Sequence, residues 1–128
     1  MKALLLPIKP EYVEQILCGT KKYEYRKRLA KEKTDTIYIY STAPEMKVVA
    51  SVKVLGSVSA SPSALWEQTK KAAGISRAKY REYFRGCKTA HAYELGAVQI
   101  FDKAKYLSEF GINSVPQSFS YIEVEETI

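Results

Sequence analysis

The sequence predicts an α+β fold with a curled sheet that can close into a barrel and short helices on its flank. Three observations lead there. Apolar, β-branched and aromatic residues come in several short strand-like runs, a brief helical pattern follows the first of them, and a pair of helical patterns sits mid-chain. At 128 residues the chain is about one domain long. No repeat, low-complexity stretch or linker divides it, so residues 1–128 read as a single domain.

Residues 2–8, Lys-Ala-Leu-Leu-Leu-Pro-Ile, suit a buried first strand, and Pro7 marks its end because proline donates no ladder hydrogen bond. Pro10 opens a helix, where its missing N–H is no loss. Tyr12, Val13, Ile16 and Leu17 then fall at helical spacing, and Gly19 supplies a C-terminal cap. A charged and aromatic strand, Lys21–Arg28, follows at once. Leu29–Thr34 reads as a basic, mobile connection without core residues. Thr36–Thr42 is the clearest strand, rich in β-branched and aromatic residues, and ends in the turn Ser41-Thr42-Ala43-Pro44. In Met46–Val58, the residues Val48, Ala50, Val52 and Val54 line one side and Gly56 bends the run.

Ser61-Pro62-Ser63 starts a helix that continues through Ala64–Ala73, with Leu65, Trp66 and Thr69 inward and Gly74 at its end. Ser76 caps the next, Arg77–Arg85, whose Tyr80, Tyr83 and Phe84 repeat at three and four residues; it is basic on its outer side and stops at Gly86. Thr89–Phe101 is strand-like, with a bulge at Gly96. Val115–Val124 reads as a final strand announced by a proline turn.

The hydrophobic fraction of 46% allows a real core. No apolar run approaches the ~18–20 residues that cross a bilayer, and Met1–Pro7 is too short and too soon interrupted for a signal peptide. No membrane partner is expected. Cys18 and Cys87 lack the spacing of a metal or redox pair and read as reduced thiols in a cytoplasmic protein. His91 is the single histidine and reads as a hydrogen-bonded sheet residue. Neither a metal nor a cofactor is expected. The net charge of +6 is uneven: residues 1–34 carry +5 of it, whereas the last six residues hold three glutamates and no cation. A basic front favours a polyanionic partner such as nucleic acid, though many basic domains bind none.

The stretch Gly19-Thr20-Lys21-Lys22-Tyr23-Glu24-Tyr25-Arg26-Lys27-Arg28 is where chemistry concentrates. Strand side chains alternate faces, so Lys22, Glu24, Arg26 and Arg28 share one face, with Tyr23 and Tyr25 on the other. One carboxylate among several cations stays ionised. The same pattern also describes a solvated face with cross-strand ion pairs. Lys21 and Glu24 are three residues apart, so they share a site only if the backbone twists just after Gly19.

Ile8-Lys9-Pro10, a short helix and then Gly19-x-Lys21-x-x-Glu24-x-Arg26 resemble the opening signature of the ASCH domain family, a branch of the PUA-like superfamily. Tyr38–Pro44 resembles the family's second strand with its Ser-Thr-x-Pro turn. Trp66 sits in the middle helical insertion, and Val115-Pro116-Gln117-Ser118-Phe119-Ser120-Tyr121 resembles the closing segment. The resemblance spans essentially the whole chain. It implies a small PUA-like β-barrel with flanking helices, a cleft beside the Gly-x-Lys-x-x-Glu-x-Arg segment, and RNA or nucleotide-like ligands. Some bacterial members are amidohydrolases that deacetylate 4-acetylcytidine, and others are linked to RNA cleavage. The amidohydrolases use a lysine at the position of Lys21, a threonine three residues on and a later glutamate. Here Glu24 occupies the threonine's place, so the chain follows the Glu-x-Arg version.

The candidate ligand-binding residues are therefore Lys9, Lys21, Glu24, Arg26, Ser41, Trp66, Gln117 and Ser118. Lys21, Arg26 and Lys9 would hold phosphate. Glu24 would accept from the amino group of a base edge, Ser41, Gln117 and Ser118 would offer hydrogen bonds, and Trp66 or Tyr40 would stack on a base. Each has a plainer alternative: a surface lysine, an Arg26–Glu24 ion pair, a turn hydroxyl, a core aromatic. The first reading is thus a module that binds RNA or a nucleotide; in the alternative, a small hydrolase acting on an acylated or otherwise modified nucleoside such as acetylcytidine, Lys21 and Glu24 would be the catalytic pair.

Overall fold

In the computed structural model, which describes residues 1–125, the chain runs β1 (Lys2–Ile8), α1 (Pro10–Leu17), β2 (Tyr23–Arg26), β3 (Thr36–Ser41), β4 (Lys47–Ala60), α2 (Pro62–Thr69), α3 (Arg77–Tyr83), β5 (Ala90–Lys105) and β6 (Ser120–Glu123). Glu126, the last glutamate of the acidic tail, lies outside the described residues. The helix starts follow local chemistry. Pro10 opens α1, while Ser61 and Ser76 cap α2 and α3 by accepting from the Ala64 and Lys79 N–H groups. The second helix is shorter than its sequence pattern: α2 tightens into a 3₁₀ turn over Lys70–Ala72 before Gly74. None of these helices is long and apolar enough to cross a membrane.

The six strands form one sheet in the order β2-β5-β4-β3-β1-β6. β1 lies parallel to β3, and the other pairings are antiparallel. The long strands β4 and β5 bend where their register slips. Val52 pairs with Val98 but Val54 with Leu95, so Gly96 and Ala97 together face a single residue. A Cβ on Gly96 would stand 2.9 Å from the tip of Leu55, an exposed side chain with room to turn aside.

The curl expected from sequence is present, but no ladder joins the end strands β2 and β6, so the barrel is an open, curled sheet. One side chain bridges the gap. Arg26 of β2 donates to the carbonyls of Pro7 on β1 (2.9 Å) and Ser118 just before β6 (3.1 Å). Inside the curl, Leu4, Leu6 and Ile8 pack with Ile37, Ile39, Val52 and Leu95. α1 seals one end with Val13 and Ile16, each burial stabilising by ~1.5–3 kcal/mol. A second core joins Tyr25 to Leu65, Tyr80 and Phe84 under α2 and α3, and a third centres on Leu5, Tyr40 and Val48. Residues 29–34 are not a coreless loop: Leu29 and Ala30 pack on the first core, and the Ala30 N–H donates to the Tyr93 hydroxyl at 2.8 Å.

Candidate functional site

The functional side chains meet at the seam between the two ends of the sheet. Gly19, at φ +87, reverses the chain after α1. The Thr20 and Lys21 N–H groups then both donate to the Gln15 carbonyl at 3.0 Å. Strand alternation therefore begins only at Tyr23, and Lys21 is turned inward before it starts. Lys21 is 3% exposed and Glu24 7%, whereas Lys22 and Arg28, placed on the same face by simple alternation, are exposed.

The Lys21 ammonium donates to the Ala73 carbonyl at 2.7 Å and lies over the rings of Tyr25 (4.7 Å) and Tyr12 (5.3 Å). Ala73 accepts one of its three N–H bonds. Gly74, at φ +62, makes the seat possible: a Cβ there would stand 2.3 Å from the Lys21 Cβ. Burial pushes the Lys21 pKa down from 10.5 to about 8, with Glu24 opposing the fall and Arg26 adding to it.

Glu24 Oε2 accepts from Arg26 Nε (3.2 Å) and from its terminal nitrogen (2.8 Å). Together with the Pro7 and Ser118 carbonyls, these bonds occupy most of the guanidinium's donors, so Arg26 holds the carboxylate in place and has little left for a ligand. Glu24 Oε1 accepts no hydrogen bond from any described residue.

Around this pair lies a cleft of about 510 Å³, a size that accommodates a nucleotide. Pro7, Ile8, Lys9, Glu11 and Tyr12 form one wall; Ile75 and the α3 residues Lys79, Glu82 and Tyr83 form the other; Lys21, Glu24, Tyr25 and Arg26 make the floor. Glu11 and Lys79 bridge the walls at 3.2 Å. Among the described residues, Lys9 and Lys21 are the lining cations without an ion-pair partner, so the surplus charge facing the cleft is positive.

Of the residues singled out in the sequence, Lys9, Lys21, Glu24 and Arg26 come together here. Ser41 does not: it is 4% exposed, held between Ile8 and Lys47 in the sheet. Trp66 lines a separate hollow between α2 and α3, and Tyr40 is buried in the third core. Gln117 and Ser118 are exposed, and Ser118 meets the site only through its carbonyl on Arg26. His91 is hydrogen-bonded in the sheet to the Ser59 hydroxyl at 2.6 Å. Sequence reasoning missed Tyr12, the Ala73 carbonyl, Gly74 and the α3 wall. Tyr12 carried a local reading as an apolar helix position, Gly74 as a helix stop and Arg77–Arg85 as a basic helix, but none of these pointed to the cleft.

The ASCH domain family matches the sequence over residues 6–105. The chain belongs to the ASCH domain family. This ASCH domain is 29% identical over 130 residues to the "ASCH domain-containing ribonuclease" of Zymomonas mobilis, an alignment covering 98% of this chain and 88% of the relative. It is 28% identical over 123 residues to the ATP synthase subunit alpha of Ureaplasma parvum, where the match covers 95% of this chain but spans only 15% of that protein. The crystal structure of the ASCH protein from Zymomonas mobilis superposes with a TM-score of 0.86 at 25% identity, covering 94% of this chain and 87% of that one.

Proposed function

We propose that this ASCH domain binds RNA in the seam cleft and cleaves its backbone there, with Lys21 and Glu24 as the catalytic pair. One observation carries the reading. A lysine brought down to about pKa 8 and a carboxylate with a free oxygen line the same nucleotide-sized cleft, whose unpaired charge is positive. The ribonuclease name of the Zymomonas mobilis relative supports it.

The chemistry follows from the two ionisation states. Glu24 Oε1 takes the proton of a ribose 2′-hydroxyl, and the 2′-oxygen attacks the adjacent phosphorus. The bond from phosphorus to the 5′-oxygen breaks with its electron pair leaving on that oxygen, and the Lys21 ammonium protonates it. A 2′,3′-cyclic phosphate and a free 5′-hydroxyl result, and a proton passing from Glu24 to Lys21 through water resets the site. An ammonium near pKa 8 remains largely protonated at neutral pH and gives up its proton more readily than an ordinary lysine. Lys9 holds a neighbouring phosphate, and Arg26 is a positioning residue for Glu24.

The test is cleavage of an end-labelled single-stranded RNA by wild type, Lys21→Met and Glu24→Gln, with folding checked by circular dichroism. Each variant should lose about 10²–10⁴-fold in rate, and the product should end in a cyclic phosphate. Cleavage undiminished in both folded variants rejects the reading.

The lowered Lys21 pKa favours a second reading, because the neutral amine would be a nucleophile or base toward an acylated nucleoside such as 4-acetylcytidine. Turnover of acetylcytidine that vanishes in Lys21→Met, with RNA left intact, would put this reading first. No turnover across a panel of modified nucleosides would dismiss it.

A further inference from the structure

We propose that the hollow between α2 and α3 is a second subsite for the same RNA strand, with Trp66 stacking on a base and Arg77 and Arg81 contacting phosphate. This rests on the RNA reading of the seam cleft and extends it across α3.

The hollow measures about 260 Å³, below the roughly 300–1,000 Å³ of pockets that enclose a whole drug-sized ligand and suited to one base. Its floor is rigid. Tyr80 is 2% exposed, its hydroxyl donates to the Pro62 carbonyl at 2.7 Å, and its ring backs the Trp66 indole at 4.8 Å. The indole is half-buried and lines the hollow, and its N–H donates to no described residue.

Charge favours an anion. Arg77 and Arg81 stand four residues apart on α3, both exposed, and neither makes an ion pair with a described residue. Like charges at this spacing weaken a helix, and of the two only Arg77 is close enough to Glu67 to act on its carboxylate. The one acid at the rim, Glu67, is engaged by Lys70 at 2.7 Å. An aromatic platform flanked by arginines is how single-stranded nucleic acid is held without sequence readout.

Position links the two sites. α3 is their shared wall: Lys79 and Tyr83 face the seam cleft, while Arg77, Tyr80 and Arg81 face the hollow. A helix is about 10–12 Å across, which a few nucleotides span. A strand lying in the cleft and passing over α3 therefore arrives at Trp66.

The chain's single tryptophan makes the test direct. Oligoribonucleotides of two and six residues, 2′-O-methylated to block cleavage, are titrated at low salt while Trp66 fluorescence and the anisotropy of a labelled strand are followed. The hexamer should quench Trp66 and bind roughly tenfold more tightly than the dimer. The double variant Arg77→Ala, Arg81→Ala should lose that advantage yet bind the dimer as wild type does, whereas Lys21→Met should weaken both lengths. Equal affinities for the two lengths, unmoved tryptophan fluorescence, or a hexamer indifferent to the arginine changes each overturn the subsite and leave the seam cleft standing. If Lys21→Met changes neither affinity while the arginine variant weakens the hexamer, the cleft reading fails and the hollow stands. A polyglutamate peptide that quenches Trp66 as strongly as the hexamer overturns base stacking, and no binding of either oligonucleotide overturns both sites.

Discussion

An ammonium group buried without a touching carboxylate destabilises a fold, and Lys21 is such a group, its pKa lowered from 10.5 to about 8. Below pH about 8 the lysine is charged in both folded and unfolded chains, and the penalty is complete. Between about 8 and 10.5 the folded chain has released the proton while the unfolded chain still holds it, so stability rises with pH. The shift corresponds to roughly 3 kcal/mol. Lys21→Met should therefore be more stable than wild type at pH 7.5, with a lead that shrinks by about that amount toward pH 10.5 in paired urea titrations. Burial raises Tyr25 and Tyr80 to about 12, which opposes stability at the alkaline end but does so in both proteins. A lead independent of pH would show that the lysine is not buried as described. The identity of this residue was legible in the sequence. Its burial was not, because the pattern of Lys21–Arg28 reads as one continuous strand, whereas the strand begins at Tyr23 and Lys21 lies in the turn before it.

The turn that seats Lys21 depends on the junction between α2 and α3, where Gly74 leaves room for the lysine's Cβ. Gly86 also has a positive φ, +79, but a Cβ there would meet nothing within 4 Å. Gly86→Ala should incur only backbone strain of about 1–2 kcal/mol. Gly74→Ala should be worse by a further ~1–3 kcal/mol through overpacking, measured by urea unfolding, and should lose RNA cleavage as well. Equal destabilisation of the two would mean that the close approach to Lys21 is relieved cheaply. Helix starts and bulge glycines were readable because each is set by neighbours in the chain: Pro10, Ser61 and Ser76 for the helices, Gly56 and Gly96 for the bends. The carbonyl of Ala73 on Lys21 was not, since it arrives from 52 residues away.

The molecule as a whole is a curled sheet fastened at its seam, and the fastening is also the floor of the cleft. Arg26 joins β2 to Pro7 and Ser118 and pairs with the buried Glu24. Arg26→Ala should destabilise by about 3–5 kcal/mol, because it strands a carboxylate, and Glu24→Gln added to it should recover part of that loss. Thermal unfolding of the two variants checks this, and an additive double variant would contradict it. Fold class and order of elements were legible from the periodicity. The open seam was not, because closure depends on where strands 92 residues apart in sequence meet. RNA affinity should fall steeply with salt, and Lys9→Ala should flatten the logarithmic slope by about 0.7, one phosphate contact on a single strand. The most direct test of the central claim is the pH dependence of RNA cleavage at saturating enzyme. With Lys21 donating the proton, the rate should decline as pH rises through about 8. A rate that climbs or stays level through that range would contradict an ammonium acting as the acid.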